Sequence, residues 1–303
     1  MEQRRLCLTG TPMPHSPMDI FMQYRFLDPS IFGNGYTRFR SEYAVMGGFE
    51  GKVVVAYQNE DKLARKVGEI SMAVKKGDVL DLPPVVHQII PVELSKIARA
   101  KYNEFFFTLE TEINDEIISA DNVLVKLLRL QQITSGYLKS EVDGTIHRIC
   151  EAKNTAVAEI IDNLPDNEPV VVFCRFTEDL KSVRACAGKA GRGYRELSGH
   201  NDELAEWQSL GGVLGVQIQS GGVGIDLTKA AYCIYYSTDY NLGNYEQSLA
   251  RLDRGGQARS VTYYHLVAEK TVDKNIYEVL DKRKQLISIV ESLIESIKKG
   301  AIK

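Results

Sequence analysis

Residues 169–191 read PVVVFCRFTEDLKSVRACAGKAG. Val170 to Cys174 are apolar without interruption, the mark of a strand covered on both faces rather than one with a wet side. The following TEDLKSVRACAGKAG has helical character, so strand gives way to helix within one short unit. The same alternation runs through the second half of the chain. EAKNTAVAEIIDNL (151–164) is helical, with Ala156, Ile160, Ile161 and Leu164 on one side. GVLGVQIQ (212–219), AYCIYY (231–236) and VTYYHLV (261–267) are three more apolar strands. Strands alternating with helices of this length predict an α/β fold, a mostly parallel sheet flanked by helices on both faces. The last segment, 273–299, is apolar at 276, 280, 287, 290, 294 and 297, which predicts a long amphipathic helix packed on a core.

The first half is less regular. RRLCLTGTPM (4–13) reads as a short strand running into a Thr-Gly-Thr-Pro turn. Residues 17–80, with FGNGY and MGGFEGK among them, predict short helices joined by loops. VHQIIPVEL (86–94) predicts a strand, and Ser95 is placed to cap the helix that follows it. Asp121 is placed to cap a second helix, which Gly136 ends.

Composition narrows the class. At 303 residues the chain can form two compact lobes, and 44% apolar with 25% charged residues is ordinary globular composition. Lys and Arg number 37 against 40 Asp and Glu, a formal charge of -3 that argues against general affinity for polyanions but leaves a local basic groove open. The five cysteines form no C-x-x-C pair and the five histidines are scattered, so no disulfide framework, zinc site or other metal site is expected. Reduced thiols fit a cytoplasmic setting. No signal-peptide pattern opens the chain and no apolar run reaches membrane-spanning length, so a soluble intracellular protein is expected.

Two stretches carry chemistry. QSGGVGIDLT (219–228) follows a predicted strand, and its three glycines let backbone N–H groups approach an anion. It meets neither the dinucleotide-binding G-x-G-x-x-G pattern nor the P-loop pattern; the two Gly-Lys pairs, at 51–52 and 188–189, lack the Ser or Thr required next. YEQSLARLDRGGQ (245–257) sets Gln247, Arg251 and Arg254 at offsets of four and three, which on a helix gives the two arginines a common face. A solvated charged face and a pair of phosphate readers both fit that spacing. The glycine loop one strand-and-helix unit earlier favours phosphate, since ligands gather at the carboxyl ends of parallel strands.

Gln247, Arg251, Arg254, Gly256 and Gln257 fit Q-x-x-x-R-x-x-R-x-G-Q, which resembles the last helicase motif of Swi/Snf-like ATPases of helicase superfamily two. SGGVGIDLT (220–228) resembles the motif before it. VVVFCRFTEDL (170–180) resembles the motif that opens the second RecA-like lobe, and LTGTPM (8–13) the one that closes the first. FLDPSIFGNGYTRFRSEY (26–43), LDLP (80–83) and LRLQQITSG (128–136) resemble the insert region of small bacterial and phage members. These landmarks stand in order over nearly the whole chain.

The resemblance implies a RecA-like second lobe over 146–270, a mainly helical insert and linker over 14–145, the last strand and motif of a first lobe over 1–13, and a terminal helix over 271–303. It implies an ATP-dependent double-stranded DNA translocase in which ATP with Mg²⁺ sits between two lobes. Arg251 and Arg254 match arginine fingers, with Gln247 orienting them. Gly222, Gly224 and Asp226 match nucleotide-binding positions. Arg175, Phe176, Ser220 and Gly221 match the strip that follows the DNA backbone. Thr9, Gly10, Thr11 and Gln257 match positions that couple hydrolysis to lobe closure. Family members carry a P-loop and a D-E-x-H box upstream of the segment that here begins at residue 8. The 303 residues contain neither, which implies a first lobe on a separate chain or removed by truncation, and an isolated chain without turnover. Asp226 stands where Asn is usual, Asp253 where His is common, Gly255 for an aliphatic residue, and His15-Ser16 for asparagines. The alternative is a non-catalytic module that binds nucleic acid or protein.

Overall fold

The computed structural model describes residues 4–48, 51, 53–74, 76–114, 120–139, 145–219 and 224–298, with side chains left undescribed over 108–124, at 126 and 286, and from 289 onward. The chain divides into two compact units. One comprises Met1–Leu80, Asn241–Gln247 and Val279–Lys303; the other comprises Asp81–Tyr240 and Ser248–Glu278.

The first unit begins with an extended segment where a strand was expected. Residues 4–9 carry no helix or strand, and Leu6 and Leu8 are 75% and 85% exposed. A strand needs a neighbour to receive its N–H and C=O groups, and among the described residues none pairs with this segment. A 3₁₀ turn at Pro17–Asp19 then leads into α1 (Ile20–Leu27), α2 (Pro29–Phe32) and α3 (Tyr36–Tyr43). Ser16 starts this run through a capping box, its hydroxyl accepting from Met18 N at 3.2 Å while Asp19 accepts from Ser16 N at 3.0 Å. An antiparallel hairpin of β1 (Ala44–Gly47) and β2 (Val53–Tyr57) follows, where only helices and loops were expected. Helices α4 (Glu60–Ile70) and α5 (Lys76–Val79) complete this part. Its core is aromatic: Phe39 lies 5.1 Å from Phe21 and 5.0 Å from Phe32 between ring centres, and Leu63, Ala64 and Val67 of α4 pack into the same cluster.

The second unit starts with β3 (Val85–Val92) and a pair of helices, α6 (Lys96–Asn114) and α7 (Ala120–Thr134). Ser95 caps α6 as expected, its Oγ accepting from Ala98 N at 3.2 Å. Gly136 ends α7 at φ +90°, where a Cβ would fall 2.2 Å from Cys150 O. A short hairpin, β4 (Tyr137–Lys139) with β5 (Ile146–Arg148), leads into α8 (Ala152–Asp162). Then come β6 (Val170–Cys174), α9 (Thr177–Lys189), β7 (Tyr194–Leu197), α10 (Leu204–Leu210), β8 (Val213–Gln217), β9 (Tyr232–Tyr235), α11 (Leu242–Leu249), β10 (Val261–Ala268) and α12 (Val272–Lys298), of which residues 242–247 of α11 and 279–298 of α12 belong to the first unit.

The six long-range strands form one sheet in the order β3-β10-β9-β6-β8-β7, and every pairing is parallel. This is the α/β sheet flanked by helices that the alternation predicts. Every residue of β6 is fully buried, so the uninterrupted apolar run is explained by cover on both faces. Val170, Val172 and Cys174 join Val157, Ile161, Leu180 and Val183 of α8 and α9 in one cluster. Phe173, whose side chain alternates to the other face, stacks on Tyr235 at 5.2 Å between ring centres. Each of these fully buried side chains contributes roughly 1.5–3 kcal/mol. The β3 strand, from the region read as insert, is one outer strand of this sheet, and β7, the other, was not marked in the sequence.

Candidate functional site

The strand order sets the carboxyl ends of β6, β8 and β9 side by side, where ligands of open α/β sheets gather. Of the residues expected on the loop after β8, Ser220, Gly221 and Gly222 lie outside the described residues. Gly224 has φ +76° and nothing within 4 Å of a Cβ placed on it, which leaves its backbone open to close approach. Asp226 folds onto its own loop: its Oδ1 accepts from Thr228 N at 2.9 Å and from Thr228 Oγ1 at 2.7 Å. Those two bonds hold its carboxyl below the usual carboxylate range, with a further push from the Arg254 charge.

The arginine motif departs from expectation in one respect. Helix α11 ends at Leu249, so Arg251 and Arg254 lie in the turn beyond it and not on a helix face. The physical reason is a change of hydrogen-bond partner. Arg251 N and Leu252 N reach back three residues, to Ser248 O and Leu249 O, each at 3.2 Å, which tightens and ends the helix. The Arg251 carbonyl then accepts from Leu227 N at 3.1 Å, a bond to the neighbouring loop.

That bond is one of several joining the turn to the loop after β8. Arg254 Nη1 donates to Ile225 O at 3.3 Å. Gln257, 7% exposed, donates from Nε2 to Thr228 O at 3.1 Å, Ala230 O at 3.0 Å and Leu252 O at 3.4 Å. Its Oε1 accepts from Arg259 N at 3.0 Å. Gly224, Asp226, Arg251, Arg254 and Gln257 are thus brought into one locality, with Gln257 fixing the arginine turn against the loop. Burial pushes the Arg251 pKa down, and the adjacent Arg254 charge adds to it. Two guanidinium groups close enough to repel form a natural seat for an anion with several oxygens. Asp253 N donates to Leu249 O at 3.2 Å, which places this residue too in the turn beyond α11.

In the first unit, Gln247 Nε2 donates to Thr11 Oγ1 at 3.3 Å, and Thr11 N donates to Thr9 Oγ1 at 3.1 Å. Gly243 lets Pro14, two residues past the Thr-Gly-Thr-Pro turn, approach, because a Cβ on it would fall 2.6 Å from Pro14 Cβ. Thr9, Thr11 and Gln247 therefore form a separate linked set, with Gly10 between the threonines.

Arg175 and Phe176 follow β6 directly. Arg175 N donates to Ser237 Oγ at 2.8 Å, the Ser237 hydroxyl donates to Asp179 Oδ2 at 2.5 Å, and Phe176 N donates to the same Asp179 oxygen at 3.3 Å. The Arg175 guanidinium lies 5.3 Å from the centre of the Phe176 ring and donates to Gln131 Oε1 of α7. Full burial raises the Asp179 carboxyl to about 6, against the lowering effect of the Ser237 bond and the Lys153 charge. Lys153 itself is buried, pairing with Asp273 at 2.8 Å and donating to Tyr236 O at 2.9 Å. Gln131, Lys153, Asp179, Ser237 and Asp273 were not singled out in the sequence. Polar residues at helical spacing look like surface until the sheet that covers them is known, and only the LQQ run within LRLQQITSG offered a signal.

Among the described residues, no group of three or more His, Cys, Asp or Glu is placed to hold a metal ion, and no helix is long and apolar enough to cross a membrane. The residues that suit a polyphosphate are Arg251, Arg254 and the open Gly224 backbone. A Mg²⁺ ion would have to be held by other groups.

Residues 1–137 match the SNF2-related domain and residues 152–256 match the helicase conserved C-terminal domain. Putative protein p41 of Acyrthosiphon pisum secondary endosymbiont phage 1 is 26% identical over 305 residues, covering 96% of this chain and 64% of that protein. An uncharacterized ATP-dependent helicase of Mycoplasma pneumoniae is 24% identical over 96% of this chain and 28% of its own length. The chain therefore spans under two thirds of each of these relatives. The Sulfolobus solfataricus SWI2/SNF2 ATPase core in complex with dsDNA superposes with a TM-score of 0.54 at 22% identity, covering 92% of this chain and 60% of that one, a likeness of fold. With its parallel RecA-like sheet, its ordered landmarks and these two domain matches, the chain joins an SNF2-related domain to a helicase conserved C-terminal domain and is similar to Swi/Snf-type ATP-dependent helicases.

Proposed function

We propose that this chain forms the second-lobe half of an ATP-dependent double-stranded DNA translocase, completing a nucleotide site whose phosphate grip lies on a first RecA-like lobe. The observation that carries this reading is the turn bearing Arg251 and Arg254, fastened by Gln257 and Leu227 to the loop after β8. ATP with Mg²⁺ would supply the phosphoryl group and its counter-charge. Arg254 and Arg251 would stabilise the charge that develops on the transferring phosphate, as arginine fingers do. Gly222, Gly224 and Asp226 would line the nucleotide side, Gln247 would orient the arginines, and Thr9, Gly10, Thr11 and Gln257 would couple hydrolysis to lobe closure. Arg175, Phe176, Ser220 and Gly221 would follow the DNA backbone by contacts that depend on salt and are largely blind to sequence.

The division 1–13, 14–145, 146–270 and 271–303 belongs to this proposal. So does an intracellular, reducing location, which the five cysteines, all free, support. The test is ATP turnover by this chain joined to a first RecA-like lobe of a family member, with and without duplex DNA. DNA-stimulated hydrolysis by the joined protein and negligible hydrolysis by this chain alone are expected. Robust turnover by this chain alone would overturn the shared-site reading.

A further inference from the structure

We infer that Gln131 is a positioning residue: its side-chain amide holds Arg175 in the direction that meets the DNA backbone. The inference rests on the reading of Arg175 as a backbone contact. Gln131 is 4% exposed, on a helix that precedes the sheet strands it serves. Its two ends are used differently. Oε1 accepts from Arg175 Nη1, and Nε2 donates to Thr238 O at 3.1 Å. Arg175 lies one residue beyond β6 and Thr238 three beyond β9, and these strands are neighbours in the sheet. One buried amide therefore ties together the carboxyl ends of two strands, at the edge where ligands of such sheets bind.

The chemistry suits orientation better than simple packing. A guanidinium has five N–H donors in a rigid fork, so one bond to Gln131 fixes its direction and leaves donors for phosphate oxygens. An amide is neutral and adds no charge of its own to the site. The backbone of Arg175 is fixed separately, through Ser237 to Asp179, and one face of its guanidinium lies over the Phe176 ring. Gln131 adds a directed hydrogen bond to the guanidinium itself. It also makes α7, in the insert region, part of the DNA strip.

The experiment is a double-mutant cycle on the full chain, with the affinity for a short labelled duplex measured across a range of salt. Arg175→Ala is expected to weaken binding about fivefold and to reduce the salt slope by about one phosphate contact. Gln131→Met keeps the volume, removes both hydrogen bonds, and is expected to lose most of the same affinity. In the Arg175→Ala background the Gln131→Met change should cost nothing further, within about twofold. A merely structural Gln131 would instead give losses that multiply. Gln131→Glu is the second variant, should the Met variant not fold. It keeps an acceptor but adds a negative charge beside the guanidinium, so it should lose affinity only when Arg175 is present. Wild-type binding by the Gln131 variants, or multiplying losses, overturns the inference. If Arg175→Ala alone binds like wild type, with Gln131 intact, the backbone reading of Arg175 falls and this inference falls with it.

Discussion

Gln257→Leu is the perturbation that most directly probes how the arginine turn is held. The substitution preserves bulk and removes the amide. The amide has two N–H groups, which satisfy Thr228 O and Ala230 O at 3.1 and 3.0 Å; the third contact, to Leu252 O at 3.4 Å, is the weakest. The acceptor end holds Arg259 N at 3.0 Å. Counting two good donations and one acceptance at about 1 kcal/mol net each gives ~3 kcal/mol, with more to come from any buried carbonyl left without a donor. Against a domain stability of about 5–15 kcal/mol the variant still folds, so the loss is measurable as a lower urea midpoint with an unchanged slope. Displacing a catalytic group by about 1 Å can cost ~100-fold in rate, so turnover of the joined two-lobe protein should fall far more than stability does. Gln257→Glu, which keeps the acceptor but turns a carboxylate oxygen toward the Thr228 and Ala230 carbonyls, should lose at least as much stability and turnover as the Leu variant. A loss under about 1 kcal/mol together with intact turnover would refute the clamp.

Two further outcomes follow from the buried polar groups. Lys153→Met leaves the Asp273 carboxylate, and the nearby Asp179, without their cation in the core; breaking a buried pair from one side costs about 3–5 kcal/mol, and Asp273→Asn added to it should return part of that in chemical denaturation. Burial holds His265 neutral, with its pKa lowered from 6.5 to about 3, so the unfolded chain takes up a proton that the folded one refuses. Its contribution is complete above pH 6.5 and is lost as pH falls toward 3, at up to about 1.4 kcal/mol per pH unit. Asp179, raised to about 6, acts with the opposite sign between its unfolded value and that pH. The His265 effect is therefore read as the difference between wild type and His265→Phe: the stability gap should shift in favour of the variant by roughly 2 kcal/mol from pH 6.5 to 5, and a constant gap would contradict the account.

What was legible in the sequence follows cover and distance. Strand β6 reads clearly because both faces of Val170–Cys174 are covered, which leaves no polar residue to blur the pattern. The Tyr194–Leu197 strand was missed because it is an outer strand with half-buried Tyr194 and Arg195, short and half polar. The Val85–Val92 strand was found, but its parallel partner, Val261–Ala268, lies at the other end of the chain, and nothing local announces such a pairing. The helix through Arg251 and Arg254 was overextended because the sequence there contains good helix formers. The bond that competes, from Leu227 N to Arg251 O, comes from a loop some twenty residues earlier. Gln131 and Lys153 were invisible for the same reason: a buried polar side chain is recognised by its partners, not by its own position in a pattern.

The most direct measurement is turnover of the joined two-lobe protein carrying Arg254→Ala, alongside its affinity for duplex DNA. An arginine finger is worth about 10³–10⁵ in kcat, so turnover should fall by at least about 10³, while DNA affinity stays within about twofold. Turnover within about tenfold of wild type would contradict the account, because Arg254 would then be doing no more than donating to Ile225 O.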